Sequence, residues 1–214
     1  MKPALTRDDA LPLIQKLAAD LEAANAAITA LDAEVGDGDL GVTCRLGMKA
    51  ALDLLPTLKE ASLGDLILKA GLAFNSAGAS TFGALVASAA MRAAKYTKDN
   101  ALAAWDLPAV IGVLTSATQG IEQRGKAARG DKTLLDALWP AIEALEAAHK
   151  NGKDLAGALA DAAAAAEAGA EATRPLRSKF GRAAWMQDRT VGVKDAGAAV
   201  AAMVLRSIAE YARV

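Results

Sequence analysis

The sequence predicts an all-α fold in which helices run up and down as antiparallel neighbours in a bundle. Of the 214 residues, 55 are Ala and only eight are aromatic. Because Ala has the highest helix propensity and a small side chain, this composition favours closely packed helices. The connections between the periodic apolar segments are short, which favours antiparallel neighbours. No convincing run of alternating β-branched residues is present, and Val191-Gly192-Val193 is too short to count as a sheet.

We expect one domain over residues 1–214, built from eight helical segments. In order, the predicted segments cover residues 7–30, 43–55, 62–74, 80–96, 106–124, 133–149, 153–173 and 195–212. Four of them begin at capping or proline signals. These signals are Thr6 with Asp9, Ser62 with Asp65, Asp106 with Pro108, and Thr133 with Asp136. Pro56, Asn151-Gly152 and Pro175 follow the ends of the second, sixth and seventh helices and stop them there.

Charge and hydropathy exclude several classes of protein. The formal net charge is −1 with basic residues scattered among acidic ones, so no basic face for nucleic acid is visible. No apolar run approaches the roughly 18 residues that span a bilayer, and Met1 to Asp9 lacks a signal-peptide pattern. A single cysteine, Cys44, excludes an internal disulfide framework. We therefore expect a cytoplasmic protein without nucleic-acid or membrane partners.

An up-and-down topology places alternate connections at the same end of the bundle. The connections after the first, third, fifth and seventh helices are residues 31–42, 75–79, 125–132 and 174–194. They hold most of the Gly, Asp and Arg clusters in the chain. The opposite connections, near 56–61, 97–105 and 150–152, look like solvated turns. Any chemistry is therefore expected at the first of these two ends.

The loop after the first helix contains three aspartates with glycines between them. Asp32, Asp37 and Asp39 would repel one another unless a cation neutralised them. Gly38 lets the backbone turn enough to aim Asp37 and Asp39 at one point. Because Mg²⁺ prefers hard oxygen ligands and completes its shell with phosphate oxygens and water, the loop predicts a magnesium–nucleotide site. The alternative is an Asp/Gly turn that only caps the second helix.

Three other ligand-binding motifs fit the chain less well. Residues 36–41 match G-x-G-x-x-G, but a dinucleotide fingerprint must follow a strand, and here a helix precedes it. A calcium EF-hand loop would carry Met48 where its twelfth position needs Glu. Residues 120–126 match G-x-x-x-x-G-K, but Ala127 stands where a P-loop needs Ser or Thr, and the segment looks like a helix end.

Four groups of residues occur in a characteristic order along nearly the whole chain. They are residues 31–39 (LDAEVGDGD), 77–80 (AGAS), 125–138 (GKAARGDKTLLDAL), and 181–185, 188–192 and 195–198 (GRAAW, DRTVG and DAGA). This pattern resembles the L subunit, or C-terminal nucleotide domain, of the dihydroxyacetone kinase family. A lone GDGD is weak evidence, whereas all four groups in order are specific.

The resemblance implies an eight-helix barrel with ADP or ATP capping one end. It implies two magnesium ions held by Asp32, Asp37 and Asp39. The implied nucleotide contacts are Leu40, Gly41, Val42 and Thr43, then Ala79 and Ser80, then Gly125 and Leu134 beside the base or ribose, Arg182 at the phosphates, and Asp195, Ala196 and Gly197. A helix N-terminus at Ser80 and the planar guanidinium of Arg182 both suit phosphate oxygens.

Plainer interpretations of single residues stay open at this stage. Arg182 could be only a surface ion-pair partner, and Ser80 only a helix cap. Asp131 and Lys132 could be a solvated turn, and they receive no catalytic role. The remaining assignments are glycine turns at Gly125 and Gly130, core packing for Leu134 and Cys44, a surface position for His149, and core or interface positions for Trp105, Trp139 and Trp185.

The chain departs from the family pattern at several positions. Leu40 stands where the family commonly carries histidine, and the histidine often found ahead of the later Asp-Pro-Gly motif is absent from residues 193–197. Ala77 and Thr81 occupy positions that are often glycine. The metal ligands are intact, so the departures bear on the subtype and the sugar. A related ketose or four-carbon sugar kinase is therefore an alternative.

The resemblance also implies partners. The family binds its ketose on a separate K subunit through a covalent hemiaminal to a histidine, and this chain is too short to contain that subunit. No catalytic residue is assigned here, because phosphoryl transfer depends on positioning and charge neutralisation. The nucleotide either exchanges as ATP or stays as ADP and is rephosphorylated by an M-type phosphocarrier of a phosphotransferase system. A homodimer and a regulator without turnover remain alternatives.

Overall fold

The computed structural model describes residues 1–214 and is all-α apart from one very short pair of strands. The first five helices are α1 (Ala10–Ala23), α2 (Asn25–Ala33), α3 (Leu40–Leu54), α4 (Leu63–Ala77) and α5 (Thr81–Asp99). The last four are α6 (Leu107–Gly125), α7 (Leu135–Lys150), α8 (Leu155–Glu171) and α9 (Ala196–Ala212). Short 3₁₀ turns cover Arg7–Asp9 and Leu55–Thr57, and 3₁₀ turns within Arg182–Thr190 are interrupted at Gln187, where φ is 50° and ψ is −122°.

The predicted helix over residues 7–30 is divided into a 3₁₀ turn, α1 and α2. The break lies at Ala24, whose φ of −90° and ψ of −2° flatten the turn between the two helices. No proline or glycine marks this position. The side chain of Asn25 instead donates to the carbonyl oxygen of Gly41 at 2.8 Å and ties the start of α2 to α3. A tertiary contact therefore accompanies a break that helix propensity does not indicate.

Three of the four predicted helix-start signals are confirmed; at the fourth, α7 begins at Leu135 after Leu134 without a side-chain cap, and Thr133 with Asp136 forms a bond of 2.8 Å in the turn before it. The carboxylate of Asp9 accepts from the backbone N–H of Thr6 at 2.7 Å. The hydroxyl of Ser62 accepts from the N–H of Asp65 at 3.1 Å, and the carboxylate of Asp106 accepts from Ala109 at 3.0 Å. Each bond satisfies a backbone donor that the first helical turn leaves free.

The helices close into a ring. Each of α3 to α8 packs against the next helix in the chain, α1 packs on α3, and α9 packs on both α8 and α1. Glycines permit close approach in this ring: a Cβ on Gly71 of α4 would overlap Ala90 of α5, and one on Gly169 of α8 would overlap the backbone of Asp136. The ring is compatible with the expected eight-helix barrel, with α2 packed against α3 and α9.

Two residue pairs correct the expectation that the chain has no sheet. Strand β1 (Leu5–Thr6) pairs antiparallel with β2 (Ala104–Trp105). The interpretation of residues 97–105 as a plain solvated turn is therefore wrong. Strands of two residues are too short to leave an alternating pattern in a sequence. The indole N–H of Trp105 also donates a hydrogen bond to the hydroxyl of Thr97 at 3.2 Å.

None of the helices combines the length and the apolar character that a membrane crossing requires.

Candidate functional site

A cavity of about 270 Å³ opens at the end of the ring where the four predicted loops meet. Its wall includes residues from the α2–α3, α4–α5, α6–α7 and α8–α9 connections. The structure thus confirms that these loops lie together at one end, as the alternation of helix direction predicted. A larger hollow of about 480 Å³ lies elsewhere, between α8 and α9, and is lined mainly by alanines and ionic side chains of both signs.

Three carboxylates meet on one side of the cavity. Asp32, Asp37 and Asp39 each offer an oxygen, and these oxygens lie within 4.8 Å of one another. Asp32 comes from the end of α2, and its Oδ2 accepts from the backbone N–H of Leu40 at 3.1 Å. A Cβ on Gly36 would lie 2.7 Å from Oδ1 of Asp32. The turn can therefore fold over that carboxylate only with glycine at this position.

The donor set suits Mg²⁺. Its three ligands are hard carboxylate oxygens on a short loop, and the open side of the cluster faces the cavity. Because three like charges at this separation are unfavourable without a counter-charge, a cation is expected among them. Arg182 supplies one positive group: its guanidinium contacts the carboxylate of Asp37 and lies 3.4 Å from that of Asp39.

Helix N-termini surround the same cavity, because α3, α5, α7 and α9 all begin at this end. The first turns of three of them leave backbone N–H groups with no acceptor in the protein. These donors belong to Gly41 and Val42 of α3, Thr81 and Phe82 of α5, and Ala196 and Gly197 of α9. Free N–H groups and the positive end of the helix dipole favour a bound anion such as phosphate.

Ser80 and Asp195 cap two of these helices. The Ser80 hydroxyl accepts from Gly83 at 3.0 Å, and the Asp195 carboxylate accepts from Ala198 at 2.7 Å. Burial raises the pKa of Asp195 to about 7, and the neighbouring carboxylates of Asp136 and Asp32 add to that rise. Ser80 therefore acts as the expected cap and also lines the cavity.

Most of the predicted site residues lie on the wall of this cavity. Those on the wall are Asp32, Asp37, Asp39, Leu40, Ser80, Gly125, Leu134, Arg182, Asp195, Ala196 and Gly197. Gly41, Val42, Thr43 and Ala79 adjoin it without lining it. Thr43 is buried, whereas Val42 is 43% exposed. Of the first turn of α3, only Leu40 lines the cavity itself.

The sequence predicted only part of the apolar wall, including Leu40 and Leu134. It did not predict Phe82 and Leu85 on α5, Ile121 on α6, or Phe180. Ile121 lies one helical turn before Gly125 and so shares its face of α6. Such residues look like ordinary core positions in a sequence, and only the ring of helices shows which of them face the opening.

Lys132 corrects the interpretation of residues 131–132 as a solvated turn. Its side chain is only 2% exposed, lines the cavity, and donates to backbone carbonyls of residues 173–193. Asp131 is also engaged, since its carboxylate pairs with Lys179 at 2.6 Å and accepts from Ala128 at 2.8 Å. The backbone of Lys132 is left-handed, with φ of 61°, and its side chain lies inside the protein. The sequence does not indicate this conformation, so the burial of Lys132 could not be predicted.

Other single-residue expectations have clear outcomes. Cys44 is buried and His149 is exposed, as predicted. Trp105 and Trp139 are partly buried against the core. Trp185 is 84% exposed, so of the two expectations for it, core packing is wrong.

Comparison with known proteins identifies the family to which this sequence is similar. The DAK2 domain matches residues 34–210. The chain is similar to the PEP-dependent dihydroxyacetone kinase, ADP-binding subunit DhaL, of Escherichia coli (strain K12), with 28% identity over 186 residues, or 87% of this chain and 88% of that protein. It is 35% identical over 187 residues to the triokinase/FMN cyclase of Homo sapiens, covering 86% of this chain and 31% of that protein. It is 33% identical over 180 residues to the L-erythrulose kinase of Pectobacterium atrosepticum, covering 83% and 30%.

Solved structures agree with the sequence matches. The native dihydroxyacetone kinase of C. freundii superposes with a TM-score of 0.74 at 28% identity, covering 98% of this chain and 36% of that one. Its complex with AMP-PNP and Mg²⁺ gives 0.74 at 27% identity, covering 97% and 34%. The chain thus spans about a third of these longer kinases and most of the E. coli subunit. These matches confirm the resemblance to the L subunit, and the chain belongs to the DAK2 domain family.

Proposed function

We propose that this chain is the nucleotide-binding subunit of a dihydroxyacetone-type kinase, holding ADP or ATP with magnesium at the open end of the ring. The observation that carries this proposal is the combination of three parts in one cavity. Three converging carboxylates suit a cation, free helix N–H groups suit an anion, and an apolar wall suits a base. A metal-bound nucleotide presents these three chemistries together.

Each part of the cavity has a role in this proposal. Asp32, Asp37 and Asp39 hold magnesium, with two ions as the expected number, and the metal supplies charge neutralisation at the phosphate oxygens. The N–H groups at the starts of α3, α5 and α9 bind phosphate oxygens, and the guanidinium of Arg182 binds them from the opposite side. Gly125 and Leu134 border the base or ribose.

The chain's own contribution to the reaction is binding and orientation. No side chain on the wall is needed as a nucleophile, because the nucleotide carries the transferable group and the acceptor hydroxyl belongs to the sugar. The ketose is bound by a separate K subunit, as in the family. The open face of the cavity, where Arg182 is 60% exposed, is where that subunit would approach.

The phosphoryl group can come from one of two sources: ATP that exchanges with solution, or a phosphocarrier that recharges bound ADP. The E. coli relative is named as PEP-dependent and as an ADP-binding subunit, which supports ADP as a resident cofactor recharged by an M-type phosphocarrier. The single domain and the cytoplasmic location are part of the same proposal. A four-carbon sugar as the acceptor is the second candidate, favoured by the 33% identity to an L-erythrulose kinase.

The test begins with the purified protein. Denaturation should release about one ADP per chain together with magnesium if the nucleotide is a resident cofactor. Thermal stabilisation of an empty protein by ADP only when magnesium is present would indicate exchange of ATP instead. An empty protein that shows no such shift would contradict nucleotide binding.

Turnover needs its own assay. The chain is mixed with a K subunit of the family, dihydroxyacetone or erythrulose, and either ATP or a phosphorylated M-type carrier, and sugar phosphate is measured. Formation of sugar phosphate only when both subunits are present is expected. Nucleotide binding without turnover under every combination would favour a regulatory protein.

A further inference from the structure

Lys132 lies at the centre of a cage of backbone carbonyl oxygens. Its ammonium nitrogen is close to five carbonyl oxygens, all from the same stretch of chain between α8 and α9. They are those of Thr173 at 3.1 Å, Arg174 at 3.5 Å, Leu176 at 3.0 Å, Thr190 at 2.6 Å and Val193 at 2.6 Å. An ammonium group has three hydrogens to donate, so it shares them among a set of oxygens that would equally suit a monovalent cation.

The caged oxygens come from both ends of the long connection between α8 and α9, and we call its residues 173–194 the arch. The arch has no α-helix and only the short 3₁₀ stretch Arg182–Thr190. Its ends are joined by one backbone bond, from Gly192 to the carbonyl of Arg174 at 2.8 Å. The remaining ionic contacts of the arch with the body of the protein involve side chains with solvent access, such as Lys179 with Asp131. Two buried hydroxyls also join parts of this connection: Thr190 accepts from Ser178 at 3.1 Å, and Thr173 accepts from Asp195 at 2.9 Å. Lys132 is the buried charged side chain that contacts both ends of the arch.

Burying the ammonium group of Lys132 costs free energy, which its bonds to the carbonyls of the arch offset. Burial lowers its pKa, since an ammonium removed from water loses hydration that only hydrogen bonds can replace. Its φ of 61° adds a backbone conformation that side chains other than Gly, Asn and Asp seldom adopt. The carbonyls of Thr173 and Arg174 follow the end of α8, where the helix dipole favours a positive group.

The arch carries Arg182, which contacts Asp37 and lies 3.4 Å from Asp39 across the cavity. Anything that loosens the ends of the arch also loosens Arg182. We propose that Lys132 is a positioning residue, a built-in monovalent cation that organises the arch and thereby holds Arg182 over the carboxylates. Its effect on the nucleotide rests on the proposed function, whereas its effect on the arch does not.

The test compares Lys132→Ala with Lys132→Met in ligand-free protein. Trypsin can cut the arch at its exposed basic residues, so the cleavage rate reports how well the arch is held. Lys132→Ala should be cut at least about tenfold faster than wild type, and 100 mM ammonium or methylammonium should restore slow cleavage by refilling the cage. Lys132→Met fills the space without charge and should be cut fast whether or not ammonium is added. Lys153→Ala, a surface lysine paired with Asp161, is the matched control.

Cleavage of Lys132→Ala at the wild-type rate would overturn the proposal. Fast cleavage that ammonium, methylammonium and potassium all fail to slow would overturn the cation role. If the variants do not fold, as judged by circular dichroism, wild-type protein decides: Lys132 should be the slowest lysine to react with an amine-acylating reagent, and labelling as fast as Lys153 would contradict the buried cage.

The consequence for the nucleotide is measured separately. Wild type and Lys132→Ala are titrated with ADP and magnesium, with and without ammonium. A weaker affinity in the variant that ammonium restores supports the positioning role. An arch that opens while the affinity stays at the wild-type value would refute control of Arg182 by Lys132. Absence of binding in wild type would refute the proposed function and leave the proteolysis result standing.

Discussion

The guanidinium of Arg182 lies 3.4 Å from the carboxylate of Asp39, although 143 positions separate them in the chain. The same guanidinium contacts Asp37. One positive group from the arch thus faces the carboxylates of the α2–α3 loop across the mouth of the cavity. The two loops are therefore linked by charge before any ligand binds.

Replacing Arg182 with Gln should weaken binding of magnesium–ADP by about tenfold or more, because a hydrogen-bonded charge at the phosphates is lost. Calorimetric titration measures the change. Arg189→Gln is the matched control, since Arg189 lies in the same connection and its guanidinium forms a hydrogen bond to the sulfur of Met186 and none to the carboxylates of the site. Equal affinities for the two variants would remove Arg182 from the site.

Asp37→Asn should weaken magnesium-dependent nucleotide binding strongly, by about tenfold to a hundredfold, and leave helicity intact. The substitution removes one of three converging charged ligands, and the neutral amide is a poorer ligand for a hard cation. Asp53→Asn, on the exposed end of α3 and paired with Lys49, should leave affinity unchanged. Unchanged affinity in Asp37→Asn would contradict the metal assignment.

Asp195 predicts a pH dependence of stability. Its pKa is about 7 in the folded protein and 3.8 as the reference value, so the folded state binds an extra proton between these pH values. The contribution of this group to the free energy of unfolding therefore falls as pH rises from about 4 to 7 and stays low above 7.

Asp195→Asn cannot ionise, and its amide oxygen can still accept from Ala198. Its stability relative to wild type should therefore rise by roughly 1–3 kcal/mol between pH 4.5 and pH 8. Urea unfolding of both ligand-free proteins at the two pH values measures this difference. A difference that is the same at both would show that the carboxyl is not perturbed.

Gly71→Ala should destabilise the fold by about 1–3 kcal/mol, because the new methyl group would overlap Ala90 where α4 and α5 meet. Gly64→Ala in the same helix is the control. Its Cβ would lie 3.1 Å from the flexible side chain of Lys98 and 3.3 Å from the carbonyl oxygen of Ala94, which is far less crowded than 2.2 Å at Gly71. The gain in helix propensity of up to about 1 kcal/mol offsets part of this crowding. Urea unfolding compares the two, and equal stabilities would contradict the close α4–α5 approach.

Much of the fold could be predicted because local signals mark the helices. Capping pairs such as Ser62 with Asp65, and prolines after helix ends, show where the chain turns, and the alternation of direction then groups the loops. The break at Ala24 and the pairing of Leu5 with Trp105 could not be predicted, since both depend on contacts between distant residues.

The candidate site divides in the same way. Asp32, Asp37 and Asp39 are close in sequence, so the cluster is visible before folding. Lys132 was misinterpreted because a lysine beside Gly and Asp normally points into water, and its carbonyl partners lie more than 40 residues away. Phe82 and Ile121 face the cavity only because the ring closes around them.

Calorimetric titration of nucleotide-free wild-type protein with ADP, in the presence and absence of magnesium, tests the central claim most directly. We predict that about one ADP binds per chain with magnesium, and that removing the metal with EDTA weakens binding by at least about tenfold, or 1.4 kcal/mol. Absence of binding with magnesium present, or equal affinity without it, would contradict a magnesium–nucleotide site at the carboxylates.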